Sequence, residues 1–191
     1  MHILGLCGSL RRNSYNRRLL AAAARELPDG AMLRVFEHTA GIPPYDEDTD
    51  ARETPAAVQA LRSAIAAANG VVIATPEYNG SVPGWLKNAI DWASRPYPNH
   101  VFRGKPVIVV GASTTPFGAA LAQAELRRVL KAIGALVLEG DLCVPLAHEA
   151  FGADGQLADS LLRSQLVSAV HTLVVAASGE GAAQCGCAMT A

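Results

Sequence analysis

The chain has 191 residues, half of them hydrophobic, which is enough for one well-packed domain and short for two. Its 16 basic and 17 acidic residues leave a formal net charge of -1, so no whole-molecule field favours nucleic acid or an anionic membrane surface, and small partners fit better. Four cysteines, Cys7, Cys143, Cys185 and Cys187, give neither a disulfide framework nor the paired spacing of a zinc site, and a reducing cytoplasm is the expected compartment.

Taken in chain order, Met1 to Leu6 is apolar but too short for a signal-peptide core, and arginines follow it at once, so it reads as a buried strand, His2 to Cys7. Further strands are expected at Met32 to Phe36, Gly70 to Thr75, Pro106 to Gly111 and Leu136 to Leu142. Between them lie apolar stripes of helical period: Leu19, Leu20, Ala23, Ala24 and Leu27; Val58, Leu61, Ile65 and Ala68; Trp85, Leu86, Ala89, Ile90 and Ala93; Leu126, Val129, Leu130 and Ile133. Pro83 suits the start of the third of these, and residues Leu157 to Val175 supply a fifth helix. Two segments stand outside the alternation: the long connection Glu37 to Thr54, and the tail Ser178 to Ala191. The tail is rich in Gly and Ala and is expected to be disordered, which leaves residues 1–177 as a single domain. No run approaches the ~18 to 20 apolar residues of a membrane-spanning helix, so a soluble protein is expected.

Five strands alternating with five helices predict an α/β fold, a doubly wound parallel sheet whose ligand site lies beyond the carboxyl ends of the strands. Directly after the first strand comes Gly8-Ser9-Leu10-Arg11-Arg12-Asn13-Ser14-Tyr15-Asn16-Arg17-Arg18, running into a helix. Hydroxyls, an amide and free N–H groups at a helix N-terminus form an anion site, and four arginines near that positive dipole end call for a compensating anion such as phosphate. The same residues also suit a solvated turn with Ser14 as N-cap. Neither the Gly-Lys-Ser/Thr of a Walker loop nor the three glycines of a dinucleotide fingerprint is present, so a terminal phosphate monoester is the better match.

The third strand runs into Thr75-Pro76-Glu77-Tyr78-Asn79-Gly80-Ser81-Val82-Pro83, expected to take a tight, extended path along which backbone groups and Tyr78 could border a flat heterocycle. An ordinary strand-to-helix turn with a core aromatic is the alternative. The fourth strand ends in Gly111-Ala112-Ser113-Thr114-Thr115-Pro116-Phe117-Gly118, whose small hydroxylic residues could face the same crevice.

Together these segments resemble the NADPH-dependent FMN reductase family, which includes chromate and quinone reductases. The likeness covers roughly residues 1–175 and rests on Gly8-Ser9-Leu10-Arg11 with Ser14 and Asn16, on Pro76-Glu77-Tyr78-Asn79, and on Leu86-Lys87-Asn88-Ala89-Ile90-Asp91-Trp92. The resemblance implies a flavodoxin-like three-layer sandwich with a five-stranded doubly wound parallel sheet. It implies non-covalent FMN, NADPH or NADH as co-substrate, and a small acceptor such as a quinone, a flavin, a metal oxyanion or an azo compound. Ser9, Arg11, Ser14 and Asn16 would then hold the FMN phosphate, with Tyr15 near the ribityl chain. Pro76, Glu77, Tyr78 and Asn79 would border the isoalloxazine, and Ser113 would close the site. One departure is visible, because Thr115, Pro116 and Phe117 stand where the family has a more glycine-rich loop. Homodimers or homotetramers are a further implication, with the Trp85 to Trp92 helix and the Ile42-Pro43-Pro44-Tyr45 loop as contact surfaces.

In such an enzyme the cofactor carries the reaction, so no catalytic residue is named. Arg12, Arg17 or Arg18 is the expected attractor for the 2′-phosphate of the nicotinamide nucleotide. A flavodoxin-type electron carrier without a nicotinamide site is the alternative, disfavoured because carriers of that kind tend to be strongly acidic. Asp46, Glu47, Asp48 and Asp50 fail as a calcium loop, since Ala51 and Ala57 stand where glycine and the bidentate glutamate belong. His38, His100, His148 and His171 lack ligand spacing, and no metal is expected.

Overall fold

The computed structural model describes residues 1–140 and 142–179. Five strands fall where apolar runs meet turn residues: β1 His2–Cys7, β2 Met32–Val35, β3 Gly70–Thr75, β4 Pro106–Ala112 and β5 Leu136–Val137, with a short β6, Leu142–Val144, following the last. They pair in parallel in the order β2-β1-β3-β4-β5, and β6 also lies against β4. Reversal of strand order between β1 and β3 gives the flavodoxin-like arrangement.

The helices are α1 Tyr15–Arg25, α2 Glu47–Arg52, α3 Ala56–Ala67, α4 Gly84–Ala93, α5 Ala120–Ala132 and α6 Ser160–Ser178. Alternate residues of each central strand face opposite layers. Ile3, Val72, Ala74, Ile108 and Val110 pack under Leu19, Leu20, Leu166, Val170 and Leu173 of α1 and α6. Leu4, Leu6, Val71, Ile73, Val107 and Val109 pack under Leu61, Ile65, Leu86, Ile90, Leu126 and Leu130 of α3, α4 and α5. Both faces are covered, which is why the central strands read as continuous apolar runs.

Three expectations are revised. The single strand expected over Leu136 to Leu142 is broken. Val107 pairs with Val137, whereas Val110 pairs with Leu142 rather than Gly140, so extra residues are accommodated beside β4. Gly140 has a φ of 129°, and the Arg127 guanidinium enters the gap, donating to Val109 O at 2.7 Å, Gly140 O at 3.0 Å and Leu138 O at 3.2 Å.

The connection from Glu37 to Thr54 contains α2, whose N-cap Asp46 accepts from the Asp48 N–H at 3.0 Å and the Thr49 hydroxyl at 2.6 Å. The acidic run there is a helix N-terminus, where negative charge is favoured.

Third, α6 is long enough, at 19 residues with a mean hydropathy of 1.3, to cross a membrane by length and composition. Here it lies on the sheet through Leu166, Ala169, Val170 and Leu173, with Arg163, Ser164, Gln165 and Ser168 exposed. The expected tail begins at the end of α6: Ser178 is its last residue and Gly179 its left-handed C-cap. The remainder of that tail, with Cys185 and Cys187, lies outside the described residues.

Candidate functional site

The carboxyl ends of β1, β3 and β4 open onto a crevice of about 170 Å³. At the β1 end, Gly8 sits so close to its neighbours that a Cβ there would lie 2.9 Å from Leu86 Cδ2 and 3.1 Å from Pro76 Cδ. Glycine thus lets the loop pass beside the β3 connection. Ser9 and Ser14 are buried, and each hydroxyl oxygen accepts a backbone N–H, Arg11 onto Ser9 at 3.4 Å and Arg17 onto Ser14 at 3.3 Å. Ser14 is the N-cap of α1, so the N–H groups of Tyr15 and Asn16 belong to the unpaired first turn.

Asn16 is buried and its amide is turned inward. Its Nδ2 donates to Ala112 O at 2.9 Å, and its Oδ1 accepts from the Ala112 N–H at 3.0 Å. This side chain joins α1 to the end of β4, which leaves the Asn16 backbone N–H as its group available at the helix terminus.

On the β3 side, Tyr78 and Ser81 exchange backbone bonds of 3.1 Å in both directions around Asn79 and Gly80, with φ values of 54° and 74°. The segment is therefore a hairpin with a two-residue Asn-Gly turn, and not the extended path expected. Pro76, Glu77 and Tyr78 line the crevice, while Asn79 at the tip is outside the lining. The Glu77 carboxylate reaches across to α5 and accepts from the Leu121 and Ala122 N–H groups at 2.9 and 3.1 Å. Tyr78 is partly exposed and meets Trp85 edge to face at 5.7 Å.

From β4, Ser113 lines the crevice with Ala112, Thr114 and Thr115. The Ser113 and Thr115 hydroxyls lie 3.1 Å apart, and Ser113 O accepts from the Ala147 N–H at 3.0 Å. The loop then turns at Gly118, φ 56°, where a Cβ would come within 2.6 Å of the Cys143 carbonyl carbon. Nine of the ten expected residues, all but Asn79, thus converge on one crevice. Ala112, Thr114 and Thr115 join them, and the run of small hydroxylic residues after β4 was their signal in the sequence.

Arginine commitments divide the positive charge. Arg17 is held by Glu37 through bonds of 2.6 and 2.8 Å, a pairing that also keeps the Glu37 carboxyl below its ordinary range. Arg18 stacks over Phe151 at 4.5 Å. Of the three arginines expected for a second phosphate, only Arg12 is without such a partner among the described residues. Arg11 lines the crevice and is exposed. Two buried hydroxyls, the free N–H groups of a helix first turn and an uncommitted guanidinium fit a phosphomonoester, and the flat wall of Pro76 to Tyr78 fits a planar ring.

Part of the expected contact surface is committed within the chain. Trp92 is fully buried, its Nε1 donates to Pro43 O at 2.8 Å, and Tyr45 meets its ring at 5.0 Å. Asn88 also donates to Pro43 O, at 2.8 Å, and accepts from the Tyr45 N–H at 2.7 Å. The Ile42 to Tyr45 loop and α4 therefore pack on one another within the chain, with Trp85 half-buried and Pro44 exposed.

Comparison with known proteins gives the family and the fold. The chain is 42% identical over 172 residues to an NAD(P)H-dependent FMN reductase of Pseudomonas aeruginosa, covering 90% of this chain and 92% of that one. It is 42% identical over 139 residues to a quinone reductase of Escherichia coli strain K12, covering 72% and 73%. Among solved structures it is similar to FerB, a flavoenzyme NAD(P)H:(acceptor) oxidoreductase from Paracoccus denitrificans, with a TM-score of 0.81, 33% identity and coverage of 93% and 97%. The model of one family matches residues 1–149, and by that match and these identities the chain belongs to the NADPH-dependent FMN reductases.

Proposed function

We propose that this chain is an NAD(P)H-dependent oxidoreductase that holds FMN non-covalently and passes electrons from a reduced nicotinamide to a small acceptor, quinones foremost. One observation carries the reading: nine residues from three strand ends meet in one crevice where the strand order reverses. Bound FMN supplies the hydride acceptance and the onward electron delivery. The protein's own groups place it. Ser9, Ser14, Arg11 and the N–H groups of Tyr15 and Asn16 hold the phosphate at the positive end of α1. Pro76, Glu77 and Tyr78 present the wall along which the ring lies, and Ser113 with Thr115 closes the crevice from β4.

The same reading includes a soluble, cytoplasmic protein assembled as a homodimer or homotetramer. The Cys7 thiol, buried and outside any disulfide, suits a reducing compartment. Tyr78, Phe117 and Leu121 are exposed apolar residues on the hairpin, the β4 loop and the start of α5, a surface that a second copy would cover.

The purified protein should be yellow, release FMN on denaturation and oxidise NADPH or NADH when benzoquinone is supplied. Colour without nicotinamide oxidation would favour a flavodoxin-type carrier, and failure to take up added FMN would overturn the reading. Light scattering that finds a monomer at micromolar concentration would remove the assembly from it.

A further inference from the structure

Helix α5 starts without a capping side chain of its own. Its N-cap is Ala119, in the left-handed region at φ 64°. The Ala120 N–H donates to Phe117 O, and the next two N–H groups are bound from another element, by Glu77 Oε2, at 2.9 Å from Leu121 N and 3.1 Å from Ala122 N. A second carboxylate runs the opposite way: Glu125 Oε2, one turn further along α5, accepts from the Ser81 hydroxyl at 2.6 Å and the Val82 N–H at 3.3 Å. The Tyr78 to Ser81 hairpin is thus tied to a single helix at both of its bases. At its tip, a Cβ on Gly80 would stand 3.6 Å from Leu121 Cδ1, so the tip also rests on α5.

A two-residue hairpin with only its own pair of backbone bonds has no fixed orientation, because an isolated hairpin is marginal in water. The orientation of this one comes from the two carboxylates, each acting through charge-assisted bonds. The Ser81 hydroxyl and the Val82 N–H hold the Glu125 carboxyl below its ordinary range. Because α5 follows directly on the loop that carries Thr114 and Thr115, the same ties make the β3 and β4 walls of the crevice one unit. The phosphate end is held separately, by the pairing of Asn16 with Ala112.

We propose that Glu77 and Glu125 are positioning residues that form a crossed clamp between the hairpin and α5, fixing the ring-side wall of the crevice, with the Glu77 carboxylate engaged by the helix rather than by the cofactor. This rests on the FMN reading of the crevice. It predicts that loosening the clamp alters the surroundings of the ring while the phosphate anchor persists.

The test compares native holoprotein with Glu77→Ala, Glu77→Gln and Glu125→Ala by amide hydrogen exchange, visible absorption of bound FMN and steady-state kinetics. Glu77→Ala should speed exchange at Leu121 and Ala122 by about tenfold, the scale of a lost helix cap. It should also move the flavin bands toward those of free FMN and raise KM for benzoquinone more than it lowers kcat. Glu77→Gln, whose amide oxygen still accepts both N–H groups, should restore native exchange and spectrum. Glu125→Ala should speed exchange at Val82, and its spectral effect should add less than fully to that of Glu77→Ala. Should Glu77→Ala not fold, Ser81→Ala repeats the test from the Glu125 end. Native exchange and spectrum in Glu77→Ala would overturn the clamp. So would a Glu77→Gln protein with native exchange but a spectrum as disturbed as that of Glu77→Ala, which would place the carboxylate charge on the flavin. Native protein that takes up no FMN would defeat the functional reading instead, and exchange at Leu121 and Ala122 in that apoprotein would still decide the clamp.

Discussion

Arg11 and Arg17 are six residues apart in one basic loop, yet they have different jobs. Arg17 is neutralised by Glu37, whereas Arg11 faces the crevice with no acidic partner among the described residues. Replacing Arg11 by Ala should remove a charge-assisted bond of about 1.5 to 3 kcal/mol, roughly ten- to a hundredfold in the FMN dissociation constant. Fluorescence titration reads this directly, with Arg17→Ala as the control expected to stay close to native. Equal losses in both variants would show that the loop acts only as a diffuse positive field. The sequence named the residues of this loop, but it could not assign the arginines. That assignment depends on Glu37 and Phe151, which only the fold brings within reach.

Among the elements, α1 and β4 share a polar tie as well as apolar packing, since both polar atoms of the Asn16 amide are spent on the backbone of Ala112. Asn16→Ala leaves a buried N–H and a buried carbonyl unpaired, and the expected loss of stability is about 1 to 3 kcal/mol for such a defect. Urea denaturation should show it as a lower midpoint at unchanged slope. A midpoint equal to the native one would mean that water replaces the amide and that α1 is held by packing alone. Four strands and five helices were legible as apolar runs and helical stripes, because burial on both sheet faces leaves a direct mark on composition. The break between β5 and β6 was not, since it depends on Arg127 of a neighbouring helix entering the ladder. Asn79-Gly80 did carry a hairpin signal of its own, and the extended path expected there overlooked it.

For the whole molecule, a buried histidine and several hydrogen-bonded carboxylates, Asp50 among them, shape how stability follows pH. Burial, with Arg103 and Arg95 nearby, pushes the His100 ring below its ordinary value of 6.5, so in the native state it resists a proton that the unfolded chain accepts. Stability is therefore full above about that value and falls as pH drops through it. Hydrogen bonds from Arg62 hold Asp50 below its ordinary value of 3.8, which adds a second loss as pH falls past that point. Denaturation curves from pH 7.5 to 3 should show both steps, and His100→Phe should abolish the upper one. A slope between pH 7 and 5.5 that persists in that variant would assign the step to another group.

By itself the sequence determined the layered α/β architecture and pointed to the loops after β1, β3 and β4, because hydrophobic period and loop composition are local quantities written along the chain, while the nine named residues that meet there came from the family resemblance. Only the tertiary structure decided which arginines are committed, that Asn16 and Glu77 turn their side chains to the scaffold, and how the last strand is broken. Each of those depends on a partner far away in sequence, and the direction of a hydrogen bond is fixed only once both ends have a place in space.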